Sequence, residues 1–144
     1  MIIKSFRGKL ADGSIDTITL HTNTGSTGYK IVKFDIMPTV PNNAQISTVK
    51  IYKIPQTTPS VDVDFSDNTL LGAAMHQNNA TSAYPWSGGI FFDNEIFNQD
   101  IYITHVDSDA SAPINYYIEL EQIKLDLNEN TVATLKDIRN IASQ

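Results

Sequence analysis

The run Asn115-Tyr116-Tyr117-Ile118-Glu119-Leu120-Glu121-Gln122-Ile123-Lys124-Leu125 decides the fold. Tyr116, Ile118 and Leu120 alternate with Tyr117, Glu119 and Glu121. A period of two suits a strand with one buried face and one wetted face. This is the longest clean strand in the chain. Asp107 to Pro113, just before it, reads as a turn, and Asp100 to Val106 as a strand with Ile101 and Ile103 on one face. After Leu125 the period changes. Asp126-Leu127-Asn128-Glu129 has the spacing of a capping box, with Asp in the first place. Val132, Leu135 and Ile138 then recur every third residue, and Lys136 and Arg139 suit a helix C-terminus. The pattern predicts one amphipathic helix over 129–141.

The N-terminal half reads as further strands. Ile2 to Leu10, the Asp12-Gly13 turn and Ile15 to Leu20 predict a hairpin. Tyr29 to Met37 predicts a half-buried strand with Val32, Phe34 and Ile36 on one face and Lys33 and Asp35 on the other. Pro38 and Pro41 end it. Ala44 to Ile54 is the next strand, then a short one places Val61, Val63 and Phe65 on one face. Thr69 to His76 reads as a short helix or turn, Gln77 to Gly89 as a long loop, and Ile90 to Phe92 as a short strand. About eight strands with one terminal helix predict an all-β fold: a two-layer antiparallel β-sandwich, jelly-roll-like, with one C-terminal amphipathic helix.

Composition agrees with this class. The chain has 144 residues, which suits a single β-sandwich domain over 1–144. Hydrophobic residues make up 41 %, enough for a core, and 18 Ile against 7 Val, with 14 Thr, favour pleated surfaces. There is no cysteine, which removes disulfides, thiolate metal sites and cysteine nucleophiles. No apolar run is long enough to span a membrane, and the first residues are too charged for a signal peptide. The expected site of synthesis is a cytoplasm.

Charge is uneven. Residues 1–53 hold seven bases and three acids, residues 54–123 hold ten acids and no Lys or Arg, and residues 124–144 hold three of each. If these parts stay apart in space, the molecule has unlike ends suited to oriented docking or head-to-tail assembly. Folding that interleaves them erases the pattern. The net charge of −6 and the lack of an Arg-rich stripe argue against nucleic acid as a partner.

Chemical motifs are absent or incomplete. Asp62-Val63-Asp64-Phe65-Ser66-Asp67 begins like a calcium loop, but its sixth and twelfth places hold Asp67 and Ala73 rather than Gly and Glu. A solvated strand face running into a helix cap explains it better. Asp107-Ser108-Asp109 reads as turn chemistry. His21, His76 and His105 share no zinc spacing and read as surface or loop residues. Glu119 and Glu121 stand about 7 Å apart on one strand face, which a solvated face explains without catalysis. There is no nucleophile elbow and no phosphate-binding glycine loop. The expectation is a protein that is not an enzyme, with no cofactor and no metal. Tyr84-Pro85-Trp86-Ser87-Gly88-Gly89 is the most distinctive run. Tyr84 and Trp86 suit a protein interface or a lid over one end of the sandwich, and alternatively a sugar-stacking surface.

Three runs carry a likeness to known sequences: Gly28 to Phe34, Phe92 to Thr104, and Asn115 to Glu121 continuing through Thr131 to Arg139. Together they resemble small virion structural proteins of tailed phages of marine bacteria, with divergence around residues 55–90. The resemblance implies a structural protein of the particle, made in the host cytoplasm and located in the virion. It points to a capsid decoration, or cement, protein that binds the major capsid protein or another virion protein as a homo-oligomer, here taken as a trimer. The alternatives are a tail or fibre component, or a carbohydrate-binding module that holds host glycan through Tyr84 and Trp86. On the decoration reading, Lys4, Lys9 and Lys30 form the expected basic docking surface.

Overall fold

The computed structural model describes residues 1–22, 25–40, 44–78, 89–108 and 111–125. Among the described residues there are eight strands: β1 (Ile2–Leu10), β2 (Ile15–Ile18), β3 (Thr27–Pro38), β4 (Gln45–Tyr52), β5 (Leu70–Asn78), β6 (Ile90–Phe92), β7 (Ile101–Asp107) and β8 (Ile114–Lys124). They form a three-stranded sheet, β1-β8-β3, and a five-stranded sheet, β2-β7-β4-β5-β6. All pairings are antiparallel. The sheets close on one apolar cluster that includes Leu10, Ile31 and Ile118 from the smaller sheet and Ile51, Leu71 and Ile103 from the larger.

The pairing is that of a long hairpin wrapped into a sandwich. β1 pairs with β8, β2 with β7 and β4 with β5. The remaining rung of the hairpin would join β3 to β6. β6 instead pairs with β5, and Phe97, five residues later, bridges to Tyr29 in β3 through two backbone hydrogen bonds of 2.8 and 2.9 Å. The fold is therefore a jelly-roll-like sandwich in which β6 stays in the larger sheet and an isolated bridge at Phe97 takes the place of the β3–β6 rung.

β8 is the centre of the smaller sheet, and its burial alternates as its sequence does. Four other expectations are corrected. The Asp12-Gly13 turn exists, with Gly13 at φ 77°, but it makes no hairpin. It is a corner that carries the chain from one sheet to the other, held by Gly13 N–H donating to the His105 carbonyl at 2.9 Å. The turn dictates a reversal of direction, while β8 and β7 decide which sheet each arm joins. In β3 the register slips between Ile31 and Lys33, so Val32 is an extra residue that points to solvent. Tyr29 and Ile31 face the core before the bulge, and Phe34 after it.

Thr69 to His76 forms no helix or isolated turn but enters β5, because pairing with β4 and β6 outweighs the helical bias of its Ala and Leu residues. A Cβ on Gly72 would lie 3.0 Å from the Phe91 carbonyl oxygen, so glycine lets β6 approach. Val61 to Phe65 forms no strand and stays exposed. The helix expected over 129–141 lies outside the described residues.

Candidate functional site

The outer face of the smaller sheet is the first surface of interest. Register places Arg7, Tyr117 and Asp35 side by side across β1, β8 and β3. Lys9, Asn115 and Met37 form the next row, and Ser5, Glu119 and Lys33 the previous one. A groove of about 650 Å³ crosses this region, walled by Arg7, Lys33, Asp35 and Met37 over Asn115 and Tyr117. The Lys33 ammonium stands 5.6 Å from the centroid of the Tyr117 ring, held by the ring's π face rather than by a carboxylate. Arg7 and Lys9 make no side-chain hydrogen bond or ion pair among the described residues. Lys30 lies further along the face and pairs with Glu121 at 3.3 Å. This side thus sets four cations against three carboxylates, in a chain of net charge −6.

The opposite layer is different. Residues 55–69 run over the outer face of the larger sheet. Lys50 Nζ donates to the Asp62 carbonyl at 2.7 Å, and Lys53 Nζ pairs with Glu95 Oε1 at 2.7 Å. Both lysines are buried. Phe65 projects with 70 % of its surface exposed, its ring centroid 4.6 Å from that of Phe91 in β6. Val63 and Ile90 are exposed beside them, and Asp62, Asp64 and Asp93 flank the group. Hydrogen bonds from the Ser66 hydroxyl and amide hold the Asp64 carboxyl below its ordinary range. Asp67 accepts from the Thr69 amide at 2.9 Å and its hydroxyl at 2.6 Å, closing a turn ahead of β5. The acidic run is a set of turn caps, neither a strand face nor a helix cap.

Inside the sandwich, polar ties join the sheets. The Tyr116 hydroxyl in β8 donates to Asp16 Oδ2 in β2 at 2.8 Å. Burial and the Asp16 carboxylate push the Tyr116 phenol well above its ordinary range. His105, read from sequence as a surface or loop residue, is fully buried in β7. Its Nδ1 lies 3.1 Å from the Leu10 carbonyl and 3.2 Å from that of Ala11, and its Nε2 lies 3.0 Å from Ser47 Oγ. Carbonyls only accept, so Nδ1 carries the proton and Ser47 donates to Nε2. Burial depresses the His105 imidazole, against the opposing pull of the two carbonyls and of Asp107 and Asp12. His21 is exposed, and its Nδ1 lies 2.7 Å from Asp100 Oδ1. Burial raises the Asp100 carboxyl, but the His21 ring and the amides of His21 and Leu20 outweigh it and hold the group below its usual range.

The structure divides the expected basic surface. Lys9 and Lys30 share the outer face but sit six residue rows apart, roughly 20 Å by strand rise. Lys4 lies opposite Leu120, on the inner side of the sheet, where β1 overhangs into solvent. Lys4 and Lys30 thus share one end of the sheet but not one face. The basic and acidic parts of the sequence do not stay apart, because acidic β8 lies between basic β1 and β3. Tyr84 and Trp86 lie outside the described residues. No group of three metal-ligating side chains converges among the described residues.

No protein-family model matches the chain, and no curated protein matches it.

Sequence reasoning missed the groove around Arg7 and Tyr117 and the Phe65–Phe91 ridge. Arg7, Lys33 and Tyr117 are far apart in sequence, and only the β1-β8-β3 register makes them neighbours. Phe65 alternates with Asp62 and Asp64 in the same way as Val61 and Val63, a pattern that reads as one face of a short strand and gives no sign of an exposed ridge.

Proposed function

We propose that this chain is a non-enzymatic structural protein of a virus particle, a capsid decoration protein that attaches in many copies to the phage head. The likeness of its three runs to small virion proteins of marine tailed phages supports the reading. So does the fold, since jelly rolls serve often as virion and lectin domains, though fold alone does not decide function. The observation that carries the attachment is at one end of the smaller sheet. Met1, Ile2 and Ile3 are 94, 56 and 43 % exposed, with Lys4 beside them and Lys30 across the sheet. Apolar side chains with Lys4 beside them and the Lys30–Glu121 pair at their edge suit a contact with a larger assembly, and weak contacts multiplied over a symmetric shell add up to firm attachment.

Quantitative mass spectrometry of purified particles tests this. A copy number comparable with that of the major capsid protein supports decoration. A few copies per particle would move the protein to the tail or fibre, and its absence from particles would overturn the reading. A Lys4→Glu, Lys30→Glu double variant is expected to leave particles at low salt while keeping its melting temperature.

A further inference from the structure

We infer that the Phe65 ridge of one copy of this chain docks in the Arg7–Tyr117 groove of a second copy, head to tail. The inference deepens the reading as a repeated structural subunit by naming how its copies meet.

Charge is the first argument. Arg7 and Lys9 have no carboxylate partner, and Lys33 has only the Tyr117 ring. On the ridge, the Asp62 and Asp93 carboxylates have no cation partner among the described residues, and hydrogen bonds keep Asp64 ionised. Asp35 is the one carboxylate in the groove wall, and the unpaired cations there match the unpaired carboxylates of the ridge, a condition for steered and oriented association.

Shape is the second. A groove of about 650 Å³ has room for an aromatic side chain and its neighbours. One wall is Met37, which is 64 % exposed and adapts to what it touches, while Tyr117 offers a ring. Phe65 is 70 % exposed and braced by Phe91, so it is a preformed knob. An exposed aromatic pair beside Val63 and Ile90 costs free energy in water that docking recovers.

Placement is the third. Groove and ridge lie on the outer sides of opposite sheets, so a single copy cannot join its own. The contact uses unlike surfaces on the two copies. It is therefore heterologous, closing into a ring or growing as a filament.

Sedimentation velocity of the full chain, across a dilution series at about 20 mM and about 1 M salt, tests this. Self-association that weakens at high salt is expected. A groove variant, Arg7→Glu with Lys33→Glu, and a ridge variant, Asp62→Lys with Asp93→Lys, should each weaken it about tenfold or more. Mixed in equal amounts, they should associate again, since reversed groove meets reversed ridge and intact groove meets intact ridge. A folding defect could not produce that recovery. Phe65→Ser should weaken association without lowering the melting temperature. A monomer at every concentration in low salt overturns the proposal, as does association that ignores both variants. Equally, a monomer that binds dextran sulfate through Arg7 would assign the groove to a foreign polyanion. No particle enters the assay, so its failure is separate from a failure of the decoration reading.

Discussion

β8, at the centre of the smaller sheet, is buried on one side, and β4, at the centre of the larger sheet, on both; this difference governs how the chain can be read. β8 alternates buried and half-buried residues along its first seven positions, because solvent reaches its outer face. β4 is buried at seven of its eight positions, because residues 55–69 lie over its outer side. Thr48, Lys50 and Tyr52 are buried there with no apolar period to announce it. Alternation reports a wet face, and it fails where another part of the chain keeps that face dry.

The largest effects should come from the core that both sheets share. Ile118 in β8 and Ile51 in β4 are each 0 % exposed. Ile118→Ala and Ile51→Ala should each cost about 3–4 kcal/mol, from lost transfer free energy and the cavity left behind. Urea denaturation should show a lower midpoint with an unchanged slope. A cost confined to one sheet would mean that the two do not share one cooperative unit.

The ion pairs sharpen the contrast. Lys53–Glu95 holds an ammonium whose side chain is 2 % exposed, while Lys30–Glu121 sits on the open face with 37 % and 24 % exposure. Glu95→Ala leaves a buried charge uncompensated and should cost about 2–3 kcal/mol. Glu121→Ala should cost less than about 0.5 kcal/mol. Equal costs would refute the claim that Lys53 sits in a dry site and Lys30 on a wet face.

These regions also separate what was legible from what was not. The all-β class, β8, β4, β7 and the bounds of β6 followed from local pattern, since each carries its own apolar period or turn signal. The partners of β1 and β2 did not, because an Asp-Gly turn is the same whether the arms pair with each other or join two sheets. Val32 misled because a bulge adds one residue without a local mark. Of the candidate site, Lys9 and Lys30 were placed on the right face only once the register was known. Lys4 fell on the other side because β1 has no apolar run to set its phase at that end.

A middle-sized effect lies where the sheets are tied. A Cβ on Gly8 in β1 would stand 2.8 Å from the Tyr116 hydroxyl oxygen and 2.9 Å from its ring. The ring cannot swing away freely, because its hydroxyl is bound to Asp16 on the other sheet. Gly8→Ala should therefore cost about 1–3 kcal/mol as overpacking. Tyr116→Phe should remove part of that penalty from the double variant, since the shorter ring has no bond to hold it. Thermal melting of the four proteins closes the cycle, and strictly additive losses would show that glycine is not required for the passage of Tyr116.

The smallest effect is a slope in pH, and it comes from the buried end of the same junction. His105 is neutral in the fold. Its Nε2 accepts from Ser47, whose oxygen already accepts from Gln45 Nε2 at 2.6 Å. Protonating Nε2 turns this acceptor into a donor facing an oxygen that is already in use, in a site that burial has dried. The unfolded chain pays no such penalty and takes up the proton near the ordinary histidine range of about 6.5. Between that value and the depressed value in the fold, the unfolded state binds more protons. Stability from this group is therefore complete above about pH 7 and falls as the pH drops below about 6.5, by at most about 1.4 kcal/mol per pH unit. Asp100 and Asp64 have carboxyls held low, so their contributions are lost only in stronger acid, below about pH 4. Urea midpoints from pH 7.5 to pH 5 separate the two ranges. His105→Gln, which can still donate to the Leu10 carbonyl and accept from Ser47, should flatten the slope between about pH 6.5 and pH 5 and leave the acid limb unchanged. A slope that survives this substitution would show that His105 is only a hydrogen-bonded strut between the sheets.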